Sequence, residues 1–111
     1  RTSEYYNAQA KAYERLTALE TLFIGCYTAS MDSEAYFGRI EAHSSGLGTF
    51  LTSGDTCYLL FEEPIDANRH LSVKLRINYP EEDSDTFFDI VEWKSVQAGE
   101  IPADAFLNLI Q

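Results

Sequence analysis

Basic residues are scarce in this chain: eight Lys and Arg stand against eighteen Asp and Glu, a formal net charge of -10 over 111 residues. The eight are scattered along the sequence and form no patch. Uncompensated negative charge repels a phosphate backbone, so nucleic-acid binding is disfavoured, and an anionic membrane surface is disfavoured for the same reason. A DNA-mimic inhibitor fits the sign of the charge, although acidity by itself serves solubility.

Long apolar runs are missing too. No stretch approaches the ~20 consecutive apolar residues of a spanning helix, and no charged-then-apolar secretory signal is present. The chain opens on Arg1 with no initiator Met. The expectation is that a preceding segment was processed or trimmed away, taking any anchor or signal with it.

Cysteine is limited to Cys26 and Cys57. Their spacing matches neither CxxC nor a zinc pattern, and His43 and His70 do not stand at ligand spacing from either one. The pair would serve as one disulfide in an exported protein or as two buried thiols in a reducing compartment; we expect the disulfide. No nucleophile elbow or protease signature surrounds Cys26, Cys57, Ser44 or Ser45, so no catalytic residue is assigned and the chain is read as non-enzymatic. The acidic cluster Glu81, Glu82, Asp83 and Asp85, with Asp89 nearby, lacks the EF-hand spacing and its turning glycine. It reads as a solvated hairpin tip, and Glu62 and Glu63 ahead of Pro64 as a solvated strand end. Neither a metal nor a cofactor is expected.

What the sequence does carry is periodicity. Tyr5, Ala8, Ala12, Leu16, Leu19, Phe23 and Cys26 recur at steps of three and four, one face of an amphipathic helix, with Glu4, Lys11, Glu14 and Glu20 off it. The seam turns from Tyr and Ala to Leu and Phe, which predicts a helix docked at its C-terminal half and projecting at its N-terminal half. Leu16, Leu19 and Phe23 form the core seam. Asp32 or Ser33 can cap a short second helix with Tyr36, Phe37 and Ile40 facing inward, ended by Ser44, Ser45, Gly46 and Gly48.

From there the period is two. Residues 49 to 52 and 56 to 62 flank the turn Ser53-Gly54-Asp55. Leu71, Val73, Leu75, Ile77 and Tyr79 alternate with Ser72, Lys74, Arg76 and Asn78, a half-buried antiparallel strand. The stretch from Thr86 to Val96 reads as a third long strand of less clear phase. Pro102 ends the sheet region, and Phe106, Leu107, Leu109 and Ile110 are expected to pack back. The sum is one α+β domain, residues 1–111: a leading helix at 1–28, a connecting region at 29–48, an antiparallel sheet of three to four strands at 49–96, and a C-terminal segment at 97–111.

Tyrosine suits surfaces that are sometimes wet and sometimes buried. Tyr5, Tyr6 and Tyr13 lie where the sheet is not expected to reach, and they are assigned to helix-mediated assembly.

Helix, connecting region and antiparallel meander together resemble the soluble domain of a type IV pilin or type II secretion pseudopilin. The resemblance implies that the leading helix continues an upstream apolar half, held in the membrane before assembly and packed in the filament core afterwards. It implies an exported, membrane-anchored or cell-surface structural subunit whose partners are other pilin-like subunits or filament components. Membrane contact would come only through the missing N-terminal segment. The cysteines depart from the family's usual C-terminal pair, so an atypical or minor subunit fits better than a major pilin. Two other readings stay open. One is a cystatin-like binding or inhibitor module. The other is a small ligand carrier or enzyme on a cone-shaped sheet, favoured if Tyr58, Phe61, Phe88 and Trp93 line one pocket.

Overall fold

The computed structural model describes residues 2–97. The architecture is α+β: α1 (Thr2–Ala29) and α2 (Ser33–His43) precede the strands β1 (Thr49–Ser53), β2 (Thr56–Asp66), β3 (Arg69–Ile77) and β4 (Phe88–Gln97). The strands form one sheet in the order β1-β2-β3-β4, each neighbour antiparallel. Pro102 and the expected packing of Phe106, Leu107, Leu109 and Ile110 lie outside the described residues.

Nothing in α1 interrupts the backbone ladder. It contains no proline, and the hydroxyls of Thr17, Thr21 and Thr28 donate to the carbonyls of Tyr13, Thr17 and Ile24 one turn back, which satisfies them without leaving the helix. Ala8, Ala12, Leu16, Leu19, Phe23 and Cys26 are all buried, on a core shared with Leu59 and Phe61 of β2 and with Leu71, Val73, Leu75 and Ile77 of β3. α1 lies chiefly over β2 and less over β3. Here the expectation of a projecting N-terminal half is corrected: Ala8 and Ala12 are as fully covered as Leu19 and Phe23. Small side chains in the early turns let the helix sit close to the sheet, so alanine marks close approach and not exposure.

A new helix starts after the turn at Met31. The Asp32 carboxylate accepts from the Ala35 amide at 2.9 Å, satisfying one of the donors that a helix start leaves free. α2 buries Tyr36 and Ile40 and lies beside the C-terminal half of α1. Gly48 then admits the chain to the sheet: a Cβ there would stand 2.6 Å from the Leu59 side chain and 2.7 Å from the Leu60 carbonyl oxygen. The β1–β2 turn uses Gly54 at φ 61°, in the left-handed region that glycine enters without strain.

Strands β2 and β3 alternate cleanly: Leu59 and Phe61 lie beside Leu75 and Val73 on the inner face, and Glu63 lies beside Leu71. β2 runs through Pro64 to Asp66 with a register shift there. Glu63 is therefore on the inner face and buried, so it is no solvated strand end; Glu62, its neighbour, is exposed.

Truncation at the centre of the seam should be costly. Phe23→Ala is expected to lower unfolding free energy by about 3–5 kcal/mol, the usual range for a buried phenylalanine, as read by chemical denaturation of the 111-residue chain.

Candidate interaction surface

Chemistry-bearing residues are spread over this fold, and its most distinctive surface is apolar. Cross-strand partners share a face, so the register places Phe88, Ile90, Trp93 and Ser95 of β4 on the helix side, opposite Ile77, Leu75, Val73 and Leu71. A register shift between Lys74 and Leu75 makes Val91 an extra residue, so that Ile90 and Trp93, three apart, point the same way. Such a bulge reverses the alternation beyond it.

α1 reaches this face with two aromatic contacts. The Tyr13 ring lies 5.2 Å from Trp93, and Phe23 meets Phe88 edge-on at 6.1 Å. Even so, Tyr13 remains 55% exposed, Ile90 46% and Val91 40%. Tyr6 and Ile24 are likewise exposed, and they stand seven residues before and eleven after Tyr13, close to whole numbers of helical turns. The three make a stripe on the flank of α1 that looks toward β4.

These positions sort the three tyrosines assigned to assembly. Tyr6 and Tyr13 are exposed, whereas Tyr5 is half-buried and packs on the core, its ring 6.3 Å from that of Tyr6. The sheet does reach Tyr13, through Trp93, against expectation. Leu16, Leu19 and Phe23 lie in the core.

The opposite flank of α1 is tied down by charge. Arg15 reaches Glu63 at 2.8 Å, donates to the Leu47 carbonyl at 3.0 Å, and stands over the Phe61 ring, 5.0 Å from its centre. One guanidinium thus joins α1, β2 and the loop that enters β1. Further along, Thr21, Leu22, Gly25, Cys26, Arg39 and His43 line a groove of about 350 Å³ between the helices. His43 has its Nδ1 2.8 Å from the Arg39 carbonyl.

Cys26 and Cys57 are free, buried thiols, which corrects the expected disulfide. Each serves as a small apolar residue in its own packing site, Cys26 on α1 and Cys57 at the start of β2. Burial pushes both thiols above the ordinary cysteine range, with Arg39 opposing it at Cys26 and a hydrogen bond with Thr52 opposing it at Cys57, where Glu41 adds to the rise.

The aromatic end of the domain is structural. Tyr27 donates to the Pro80 carbonyl at 2.9 Å and Tyr36 to the Asn78 carbonyl at 2.7 Å, and their rings pack with Tyr79. Burial raises the Tyr36 hydroxyl well above the usual tyrosine range.

The acidic loop turns inward on itself. The Asp85 carboxylate accepts from the amides of Glu81 and Glu82, while Asp89 accepts from Asn78 and Arg76, which hold it below the usual carboxylate range. Among the described residues no three His, Cys, Asp or Glu side chains gather as a metal site. Nor do Tyr58, Phe61, Phe88 and Trp93 share a pocket. Tyr58 stands on the outer face under Lys74, and the others are divided among Arg15, Phe23 and Tyr13. His70 pairs with Glu62 at 3.2 Å.

No family model, no curated protein and no solved structure matches this chain.

Sequence reasoning missed two of these features. The partnership of Arg15 with Glu63 spans elements far apart in sequence, and the inward phase of Trp93 depends on the bulge. The nearest signal in the sequence is Glu63 itself, which continues the inward phase of Cys57, Leu59 and Phe61.

Two outcomes are expected. Arg15→Ala should cost about 3 kcal/mol, because it leaves Glu63 buried without its countercharge, while Arg15→Leu with Glu63→Leu should recover most of the loss; denaturation of the two variants compares them. The thiols should react with Ellman's reagent far more slowly in the native protein than after unfolding, and both should be titratable without reductant.

Proposed function

We propose that this chain is a non-enzymatic structural subunit of the pilin-like or pseudopilin-like class, exported and assembled through its N-terminal helix with other pilin-like subunits. The observation that carries the reading is the two-sidedness of α1. One stripe, Ala8 to Cys26, is spent on the domain's own core, and a second, Tyr6, Tyr13 and Ile24, stays exposed along the same helix. A helix that served only its own sheet would be polar everywhere off the seam. The order of elements, with a long first helix, a short helix in the connection and a four-stranded meander, supports the same reading.

A second reading is favoured by the depth at which the early turns dock. Ala8 and Ala12 leave little of α1 beyond the sheet, which suits a free-standing binding module of the cystatin-like type.

The coding region immediately upstream of Arg1 distinguishes them. The pilin-like reading expects an apolar run of about 20 residues there, preceded by a short charged leader. A cleavable signal or a plain start codon would remove it. Within the chain, Tyr6→Ser is expected to leave the melting temperature unchanged and to impair co-assembly, whereas Tyr5→Ser lowers stability.

A further inference from the structure

β4 is an edge strand ten residues long: among the described residues no further strand lies beyond it in the sheet. An open edge is a template for another strand, and folds usually blunt it by shortness, proline or repeated charge. β1, at the other edge, is five residues long and nearly all exposed. β4 is less protected: it contains no proline, and its charges Asp89, Glu92 and Lys94 are interspersed with apolar Phe88, Ile90, Val91, Trp93 and Val96. Its bulge at Val91 interrupts the ladder once and leaves a regular stretch from Glu92 onward.

Only the first three residues of that stretch, Glu92, Trp93 and Lys94, are self-complementary in charge; beyond them a two-fold pairing sets Ser95 to Gln97 of each copy against the bulged segment Asp89 to Val91 of the other. Glu92 and Lys94 flank Trp93 and share the outer face of the sheet, 3.9 Å apart and both more than 40% exposed. Suppose two copies meet antiparallel on a two-fold axis through Trp93. Glu92 then falls opposite Lys94 of the second copy, Lys94 falls opposite its Glu92, and the two Trp93 side chains face each other. Parallel pairing in register would instead set Glu on Glu and Lys on Lys, and like charges directly opposite are unfavourable. The axis also brings the two inner faces to the same side. Each Tyr13–Trp93 stack then meets its counterpart, covering the aromatic surface that α1 leaves exposed.

We infer that this chain forms a two-fold dimer in which the β4 edges pair antiparallel about Trp93, joining the two sheets into one. The partner is a second copy because the charge pattern complements itself. The arrangement uses up the long edge on both copies and so closes without propagating. It stands on the β4 edge alone and does not depend on the pilin-like reading.

Sedimentation velocity of the full chain from micromolar to millimolar concentration tests it, together with emission of its single tryptophan. The expected result is a monomer–dimer equilibrium, with Trp93 emission shifting to the blue as dimer forms. Glu92→Lys alone and Lys94→Glu alone should each weaken association about tenfold or more, because each turns two attractions into two repulsions. The double reversal should restore it. Lys94 stands opposite Ser72, so Lys94→Glu should melt like the parent, whereas Glu92 stands opposite Lys74 within the same sheet, so Glu92→Lys should lower the melting temperature slightly without unfolding the domain. A monomer at every concentration overturns the inference, as an edge occupied by another part of the same chain would produce. So does a dimer that ignores the single reversals or is not rescued by the double one.

Discussion

A single α-helix is about 10 Å across with its side chains, and strands in a sheet stand about 4.8 Å apart, so one helix covers about two strands. This mismatch of width governs the domain. α1 settles over β2 with its flank on β3, and those are the strands whose inner residues are all deeply buried. The outer strands must find cover elsewhere. Toward β1 only Phe50 packs against the core, and the rest of that short strand stays exposed. Toward β4 the cover is two aromatic contacts from α1, and apolar surface is left over.

The two flanks of α1 answer that constraint differently. On one, Arg15 extends the helix's reach with a long side chain that is apolar along its stem and charged at its head, meeting Glu63 and the Leu47 carbonyl together. On the other, Tyr13 and Trp93 meet ring to ring. Aromatic contact of this sort covers area without closing it against water, which leaves a face able to accept a further surface. The proposed helix-mediated assembly and the inferred pairing at the β4 edge would both draw on this one uncovered flank.

Much of the fold was legible because its signals are local. The seam of α1, the Asp32 cap, the Gly54 turn and the alternation of β3 each follow from residues a few positions apart. Where the reading failed, the deciding partner was distant. Ala8 and Ala12 looked like weak core residues, but their smallness lets the helix approach the sheet. Glu62 and Glu63 looked like a solvated pair, but a strand points neighbours to opposite faces, and Arg15 made the inner one tolerable. The phase of β4 was unreadable because Val91 is an inserted residue, recognisable only against Lys74 and Leu75 on the adjacent strand. The cysteines carried no signal for or against bonding, since each is explained by the packing around it.

Native-state hydrogen exchange, residue by residue, is the most direct test of the claim that α1 docked along its length holds the sheet together. The account predicts that, at a concentration where the chain is monomeric, amides of α1 from Ala12 to Cys26 exchange only through the same global opening as those of Leu59, Phe61, Val73 and Leu75, while the β4 amides on its outer side exchange through smaller openings. Exchange of the Ala12 to Leu16 turn at the rate of a free helix, with β2 and β3 still protected, would contradict it.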